Sequence, residues 1–181
     1  MAEYMPDGDT VVSPDFTCGA AVNYESAAGL VGDNEDYAEN FGAFWNLSPD
    51  IAKEYLQIIY LDSLCFNMDR HTKNYGVLRH PDSGAVISAA PNFDNNIALF
   101  SRKIPDDLTR KNDKLISLFL ELLEQDSRAF AFAAGFPAPT RDLVYECVKQ
   151  TGMSVPASTV IAACDFITAG SRLINNYLDT H

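Results

Sequence analysis

The residues most suited to chemistry lie in one short polar segment. Asp69 is followed by His71, Lys73 and Asn74, and a second aspartate, Asp94, comes after a further stretch of chain. Phosphoryl transfer needs a carboxylate that orients or deprotonates the acceptor hydroxyl, and Asn and Asp oxygens that hold Mg²⁺. Magnesium completes its octahedron with water and phosphate oxygens, so two protein ligands suffice. The residue types and their spacing therefore predict phosphotransfer chemistry.

The same segment also has a plain structural interpretation. Asp, Asn, His and Lys all favour turns, and a polar connection between a helix and a hairpin needs no function. From spacing alone, a hydrated loop remains an alternative.

The element before this segment is predicted to be a buried helix. Ser48 is a good N-cap, Pro49 suits the first helical position, and Asp50 complements the helix dipole. From Ile51 through Phe66, apolar residues cover most of the helix circumference. Such a helix is buried between other elements, so it would make a rigid platform for the polar loop.

The element after the segment is predicted to be a β-hairpin. Tyr75–Leu78 and Ala85–Ala89 read as strands, and Pro81–Gly84 reads as the turn between them. The returning strand leads into Ala90–Asp94. Because the hairpin reverses the chain, it can bring Asp94 back beside Asp69.

The N-terminal part of the chain is expected to be irregular. Thr10–Thr17 reads as a short strand interrupted by Pro14. Gly19–Trp45 is rich in Gly, Asn, Asp and Glu, and it is interpreted as loop with one helical turn near Asp36–Phe41.

The C-terminal part is expected to be helical. Three segments have the helical period: Asp113–Glu124, Thr140–Lys149 with Gly152 past its end, and Ser158–Leu178 with a kink or close helix contact at Ala169 and Gly170. The fold class is therefore α+β and predominantly helical, with an embedded β-hairpin. An acidic segment of one short strand and loops is assigned to residues 1–45, and the helical domain to residues 46–181.

The charge is large and unevenly placed. The formal net charge is −12, which disfavours broad binding to nucleic acid. The first 52 residues hold ten Asp or Glu and no Lys or Arg, whereas eight of the thirteen basic residues fall between Arg70 and Lys114. An anionic ligand would meet this middle part of the chain, unless the clustering only marks a solvated face.

The cysteines and the N-terminus favour a cytoplasmic location. Cys18, Cys65, Cys147 and Cys164 have no metal-ligand spacing. The residues from Met1 to Asp9 lack a basic and an apolar region, so they do not form a signal peptide. No apolar run reaches the ~18 residues of a membrane helix, so no membrane partner is expected.

The stretch from Leu61 to Asp94 resembles the HipA-like kinases. That family carries an apolar helix, a loop of the form N-x-D-x-H-x-K-N, and a hairpin that ends in A-P-x-[YF]-D. The chain matches these motifs at Asn67, Asp69, His71, Lys73, Asn74, Ala90, Pro91, Phe93 and Asp94. The resemblance spans roughly residues 50–125 and implies the helical C-lobe of a serine/threonine kinase.

The resemblance also implies roles for the site residues. Asp69 would be the catalytic base, and Asn74 and Asp94 would hold Mg²⁺ and with it the bound ATP. His71 and Lys73 would order the catalytic loop, with Lys73 near the transferred phosphate.

The chain departs from the family pattern in two ways. Asn92 and Asn95 replace positions that are usually apolar, which weakens the expected packing around Asp94. A kinase also needs a β-rich N-lobe with a Lys on the nucleotide phosphates, yet no Lys or Arg precedes Lys53 and no G-x-G-x-x-G occurs. The chain is thus expected to be too short for a complete kinase, and weak or inactive by itself.

Two functions follow as expectations. The first is ATP- and Mg²⁺-dependent phosphoryl transfer to a protein Ser or Thr, with the N-lobe supplied by another protein. The second is a non-catalytic, kinase-derived binding module, and the family association adds a toxin–antitoxin or phage-related context.

Overall fold

The computed structural model describes residues 3–4, 11–12, 19–95, 98–99, 113–152 and 154–181. Within them the fold is α+β and predominantly helical, as the sequence predicts. The elements in chain order are β1 Glu3–Tyr4, β2 Val11–Val12, β3 Asn23–Ser26, α1 Ala27–Val31, α2 Tyr37–Leu47, α3 Pro49–Cys65, β4 Gly76–Arg79, β5 Val86–Ala89, α4 Asp113–Gln125, α5 Ser127–Ala133, α6 Arg141–Gln150 and α7 Ala157–Thr180.

Helix α3 is the central element, and its predicted start and burial are confirmed. The Ser48 hydroxyl accepts the N–H of Asp50 at 3.2 Å, and Pro49 occupies the first turn. The helix packs against α2, α4, α5, α7 and strand β5, which explains why apolar side chains cover most of its circumference. It ends at Phe66, whose left-handed backbone (φ 54°) closes the last turn.

The predicted hairpin is present and belongs to a larger sheet. Strands β4 and β5 pair antiparallel, and β3 pairs antiparallel with the other side of β4. The register joins Asn23 to Arg79 and Ser26 to Gly76. At Gly76 the backbones approach so closely that a Cβ atom would lie 2.1 Å from the Glu25 carbonyl oxygen.

The prediction of loop for Gly19–Trp45 is wrong, because this segment contains β3, α1 and α2. Helix α2 is capped by the Asp36 carboxylate, which accepts the N–H of Glu39 at 2.8 Å. Its aromatic residues recur at helical spacing, and Phe41 and Phe44 are fully buried. Packing of this face on α3 outweighs the weak local helix propensity.

Two further predictions for the N-terminal part have partial outcomes. The helical turn expected near Asp36–Phe41 lies at the start of α2. Of the strand expected at Thr10–Thr17, Val11–Val12 forms β2 and pairs with Glu3–Tyr4; the rest lies outside the described residues. The division of the chain after residue 45 stays a prediction.

The three C-terminal helices are confirmed, and the sequence missed one more. α4, α6 and α7 match the predicted segments within two residues at their ends. The close contact expected at Gly170 is present, since a Cβ there would lie 3.3 Å from Ile116 and 3.4 Å from Leu64. The missed helix, α5, begins at Asp126, whose carboxylate accepts the N–H groups of Arg128 and Ala129.

Helix α7 has the length and composition of a membrane-crossing helix, with a mean hydropathy of 1.3 over its most apolar window. The sequence was expected to contain no membrane-spanning segment, and α7 is an exception to that expectation. Its apolar stripe packs against α3, α4 and α6, and a buried core helix has the same composition. The residues buried on it are Val160, Ala163, Cys164, Ile167, Thr168, Gly170, Ser171 and Ile174.

An aromatic cluster fixes the chain next to the polar loop. Tyr55 of α3 stacks on Phe44 of α2 at 5.1 Å and packs against Tyr75 at 5.2 Å, measured between ring centroids. The side-chain amide of Asn40 donates to the Tyr75 hydroxyl at 3.2 Å. Burial raises the pKa of Tyr75 to about 12, so the phenol stays neutral in the core. The loop that ends at Tyr75 is therefore anchored to two helices.

The close approach at Gly76 gives a direct test of the sheet. Gly76→Ala places a methyl group against the Glu25 backbone, which cannot move without breaking the β3–β4 ladder. We expect the free energy of unfolding to fall by about 2 kcal/mol or more in urea denaturation. The matched control is Gly42→Ala in α2, where the Cβ meets nothing within 4 Å; the gain in helix propensity should stabilise the protein by about 0.5–1 kcal/mol. Equal stability of the two variants would contradict the described sheet register.

Candidate functional site

A buried ion pair joins the end of α3 to the polar loop. The Arg70 guanidinium binds the Asp62 carboxylate through two hydrogen bonds, from Nε at 2.7 Å and from Nη2 at 3.0 Å. The two side chains are only 1% and 4% exposed. The side-chain amide of Asn67 donates to the same carboxylate at 2.9 Å. Such a bidentate geometry offsets much of the cost of removing both charges from water.

The same guanidinium connects the two loops that carry the predicted site. Arg70 Nη1 donates to the Asn74 carbonyl at 2.9 Å and to the Phe93 carbonyl at 2.8 Å. One nitrogen atom therefore contacts the backbone of Asn74 and the backbone next to Asp94. The loop before the hairpin and the loop after it are thus held at one point.

Asn74 is oriented by the loop itself. The residue is buried, and its side-chain nitrogen donates to the Asp69 carbonyl at 3.2 Å. Its backbone N–H donates to the His71 carbonyl at 2.8 Å. Because the amide nitrogen is used within the loop, the amide oxygen is left to face a ligand. Asp69 is half-buried at the start of the same turn.

His71 and Lys73 are exposed on the outer side of this turn. The Lys73 N–H donates to His71 Nδ1 at 3.3 Å, which makes Nδ1 an acceptor and places the proton of the neutral ring on Nε2. The loop therefore orients the histidine, while the ammonium group of Lys73 is in solvent.

Asp94 is exposed and has a left-handed backbone conformation, with φ 56°. Aspartate tolerates this region better than most residues. The residues on either side hold it in place, because the Asn92 and Asn95 side-chain oxygens accept from Arg70 Nη2 at 3.1 and 2.6 Å. The apolar packing expected at these two positions is thus replaced by hydrogen bonds.

Strand β3 and helix α1 support the loop from outside. The N–H groups of Ala27 and Ala28, at the start of α1, donate to the carbonyls of Tyr75 and Thr72. The Tyr24 hydroxyl donates to the Tyr75 carbonyl at 3.0 Å, and its ring packs edge-on against Phe93 at 5.7 Å. This support comes from a segment that the sequence indicated to be loop.

The donor set fits the ion that the resemblance implies. Mg²⁺ takes carboxylate and amide oxygens, and Asn74 and Asp94 supply one of each next to a shared backbone contact. Asp62 neutralises Arg70, so the guanidinium does not repel a cation at full strength. Among the described residues no group of three or more His, Cys, Asp or Glu could hold a metal ion, so a Mg²⁺ ion at Asn74 and Asp94 would need further oxygens from water or a phosphate ligand.

Cys65 beside the ion pair is not a nucleophile. Burial raises the pKa of its thiol to about 11, and the negative charge of Asp62 adds to the rise. The thiol therefore stays protonated at neutral pH and behaves as a small apolar side chain.

Sequence reasoning missed the residues that hold the site together. Asp62 lies in the last turn of a helix whose other residues are largely apolar, and a buried acid there needs a partner. Arg70 directly follows Asp69 and is the nearest cation. Those two signals together would have identified the pair. No sequence signal identified Tyr24, because its contact with the loop depends on the register of the sheet.

Comparison with known proteins gives one structural similarity. No family model and no curated protein matches the chain. The chain is similar to a solved structure described as a Helicobacter pylori proinflammatory kinase CtkA, with 17% sequence identity and a TM-score of 0.44. The similarity covers 91% of this chain and 71% of that chain.

Removal of the buried cation tests this arrangement. Arg70→Ala leaves the Asp62 carboxylate buried beside Asn67 alone and frees two loops. We expect the free energy of unfolding in urea to fall by about 3–5 kcal/mol. Arg70→Lys should recover only part of this loss, since an ammonium cannot reproduce the five N–H donors.

The matched control is Arg141→Ala, which removes an arginine whose partner Asp165 is exposed like itself. It should cost about 0–1 kcal/mol. A loss for Arg70→Ala no larger than for the control would show that the guanidinium does not hold the loops together.

Proposed function

We propose that this chain is a C-lobe of the HipA-like kinase type, which takes part in ATP- and Mg²⁺-dependent transfer of a phosphoryl group to a protein Ser or Thr. The N-lobe would be supplied by another protein. The observation that supports the proposal most is the double contact of Arg70 Nη1 with the Asn74 and Phe93 carbonyls. This contact holds the loop of Asn74 beside the loop of Asp94.

In this proposal Asp69, Asn74 and Asp94 have different roles. Asp69 accepts the proton of the acceptor hydroxyl, for which a half-exposed carboxylate is suitable. Asn74 and Asp94 hold Mg²⁺, which when bound neutralises charge on the nucleotide phosphates. Lys73 and His71 lie on the outer side of the loop, where an exposed ammonium attracts phosphate oxygens.

The need for a second lobe is inferred from the positions of the basic residues. Lys53 is the first basic residue of the sequence, and its Nζ lies 5.9 Å from the centre of the Phe132 ring. It precedes Asp62 by two and a half helical turns, about 14 Å along the axis of α3. Lys53 is therefore poorly suited to the nucleotide phosphates, and the cation that cradles them would come from the completing lobe.

A non-catalytic binding module is the second candidate. The observation that favours it is this absence of basic residues from the first 52 positions, which leaves a nucleotide held from one side. Such a module would keep the loop geometry and bind Mg²⁺–ATP or a partner protein without transfer.

A thermal shift with Mg²⁺ and ATP tests the ligand site that both candidates share. Binding to the folded state raises its stability, and a ligand at several times its Kd contributes on the order of 1 kcal/mol, or roughly 2–4 °C in Tm. We expect this shift in the wild type and not in Asp94→Ala. Asp82→Ala, which removes an exposed acid of the hairpin turn, should keep it. Equal shifts in Asp94→Ala and wild type would contradict the proposed site.

Transfer itself separates the two candidates. With radiolabelled ATP and the protein as its own substrate, label on the wild type that is lost in Asp69→Asn supports the enzyme. A thermal shift without label in either protein supports the binding module.

A further inference from the structure

An open cleft adjoins the outer side of the catalytic loop. It has a volume of about 280 Å³ and is lined by Asp33 and Glu35 on one wall and by His71, Thr72 and Lys73 on the other. The acidic wall is the turn between α1 and α2. The cleft therefore lies between the loop that carries Asp69 and an acidic segment far away in sequence.

The acidic wall continues beyond this cleft. A second open cleft of about 270 Å³ lies between the start of α2 and helix α4. Glu35 lines both clefts, and Asp36 and Glu121 also line the second. Glu35 is common to the two neighbouring clefts, which together we call the acidic groove. Its walls hold four carboxylates and one ammonium group, that of Lys73.

The two acids next to the loop are available to a ligand. Asp33 and Glu35 are exposed, and neither has an ion pair or a side-chain hydrogen bond within the part of the chain that the structure describes. These acids do not converge on one point, since no group of three in the described part could hold a metal ion. Spaced carboxylates suit an extended cationic ligand better than a single ion.

Thr72 is a second, independent sign of a ligand. It lines the cleft and is only 4% exposed, and its hydroxyl has no hydrogen-bond partner among the described residues. The hydroxyl is not one of the buried atoms that lack a partner, so it is open to the cleft. An incoming backbone or side-chain group in the cleft would satisfy it.

We propose that the acidic groove binds a basic peptide segment of the protein that presents the acceptor Ser or Thr. Lys or Arg side chains of that segment lie against Asp33 and Glu35, and a polar group of the segment bonds to the Thr72 hydroxyl. The assignment of this segment as the phosphate acceptor rests on the proposed function. One wall of the groove is His71, Thr72 and Lys73 of the loop that begins at Asp69, so the bound segment lies against that loop.

Binding is measured by fluorescence anisotropy, without nucleotide, using a labelled peptide with one serine between Arg and Lys residues. A peptide with Glu at those positions is the matched probe. We expect the basic peptide to bind and the acidic one not to bind. Asp33→Asn and Glu35→Gln should each weaken Kd about two- to fivefold, the effect of one exposed ion pair, and raised salt should weaken it further.

Two variants distinguish this groove from general attraction to an acidic protein. Asp82→Asn removes the same charge at the hairpin tip, the end of the sheet opposite to Ser26 and α1, and should leave Kd unchanged. Thr72→Val should weaken Kd several-fold without lowering Tm, since the free protein loses no hydrogen bond. Equal weakening by Asp82→Asn and Glu35→Gln, or no binding of the basic peptide, would overturn the proposal.

The result of the peptide-binding measurement does not depend on catalysis. Peptide binding is measured without nucleotide, so the groove stands even if no phosphate is transferred. Conversely, phosphate transfer with no dependence of peptide binding on Asp33 and Glu35 would reject the groove and leave the proposed function intact.

Discussion

One buried guanidinium determines the geometry of the site. The Arg70 side chain is 1% exposed, and its five N–H donors are satisfied by the Asp62 carboxylate, two backbone carbonyls and two asparagine side chains. A buried charge is tolerated only when it is paired and fully hydrogen-bonded. Separation of the loops before and after the hairpin would therefore remove hydrogen bonds from a buried cation. This constraint makes the site stiff although both loops are short and largely polar.

The rest of the fold holds Asp62 and both ends of the polar loop in place. Helix α3 is surrounded by other helices, so Asp62 is held by the core and not by the loop. Tyr75 is packed between α2 and α3, which anchors the loop at its other end. The start of α1 supplies N–H groups to the carbonyls of Thr72 and Tyr75. Each support comes from a different element, and together they constrain the two loops that carry Asp69, Asn74 and Asp94.

The sequence predicted the elements with strong local signals. The capped helix at Ser48, the hairpin and the amphipathic C-terminal helices each carry their own period or turn residues, and all are present. It failed at Gly19–Trp45, where the aromatic spacing of α2 is obscured by Gly, Asn and acidic residues. The role of Arg70 was not predicted either, because the Asp, His, Lys and Asn of the motif are the residue types expected at a phosphoryl-transfer site. The pairing of Arg70 with Asp62, and the approach of Tyr24, depend on tertiary contacts that no local pattern encodes.

The proposed site requires Asp69, Asn74 and Asp94 to lie around one divalent ion. Paramagnetic broadening by Mn²⁺ in the presence of ATP measures it directly, because broadening of backbone amide signals falls steeply with distance from the ion. We expect substoichiometric Mn²⁺ to broaden the signals of all three residues together, and Arg70→Ala to remove this common effect. Broadening confined to one of the two loops, or equal broadening at the remote acid Asp82, would contradict it.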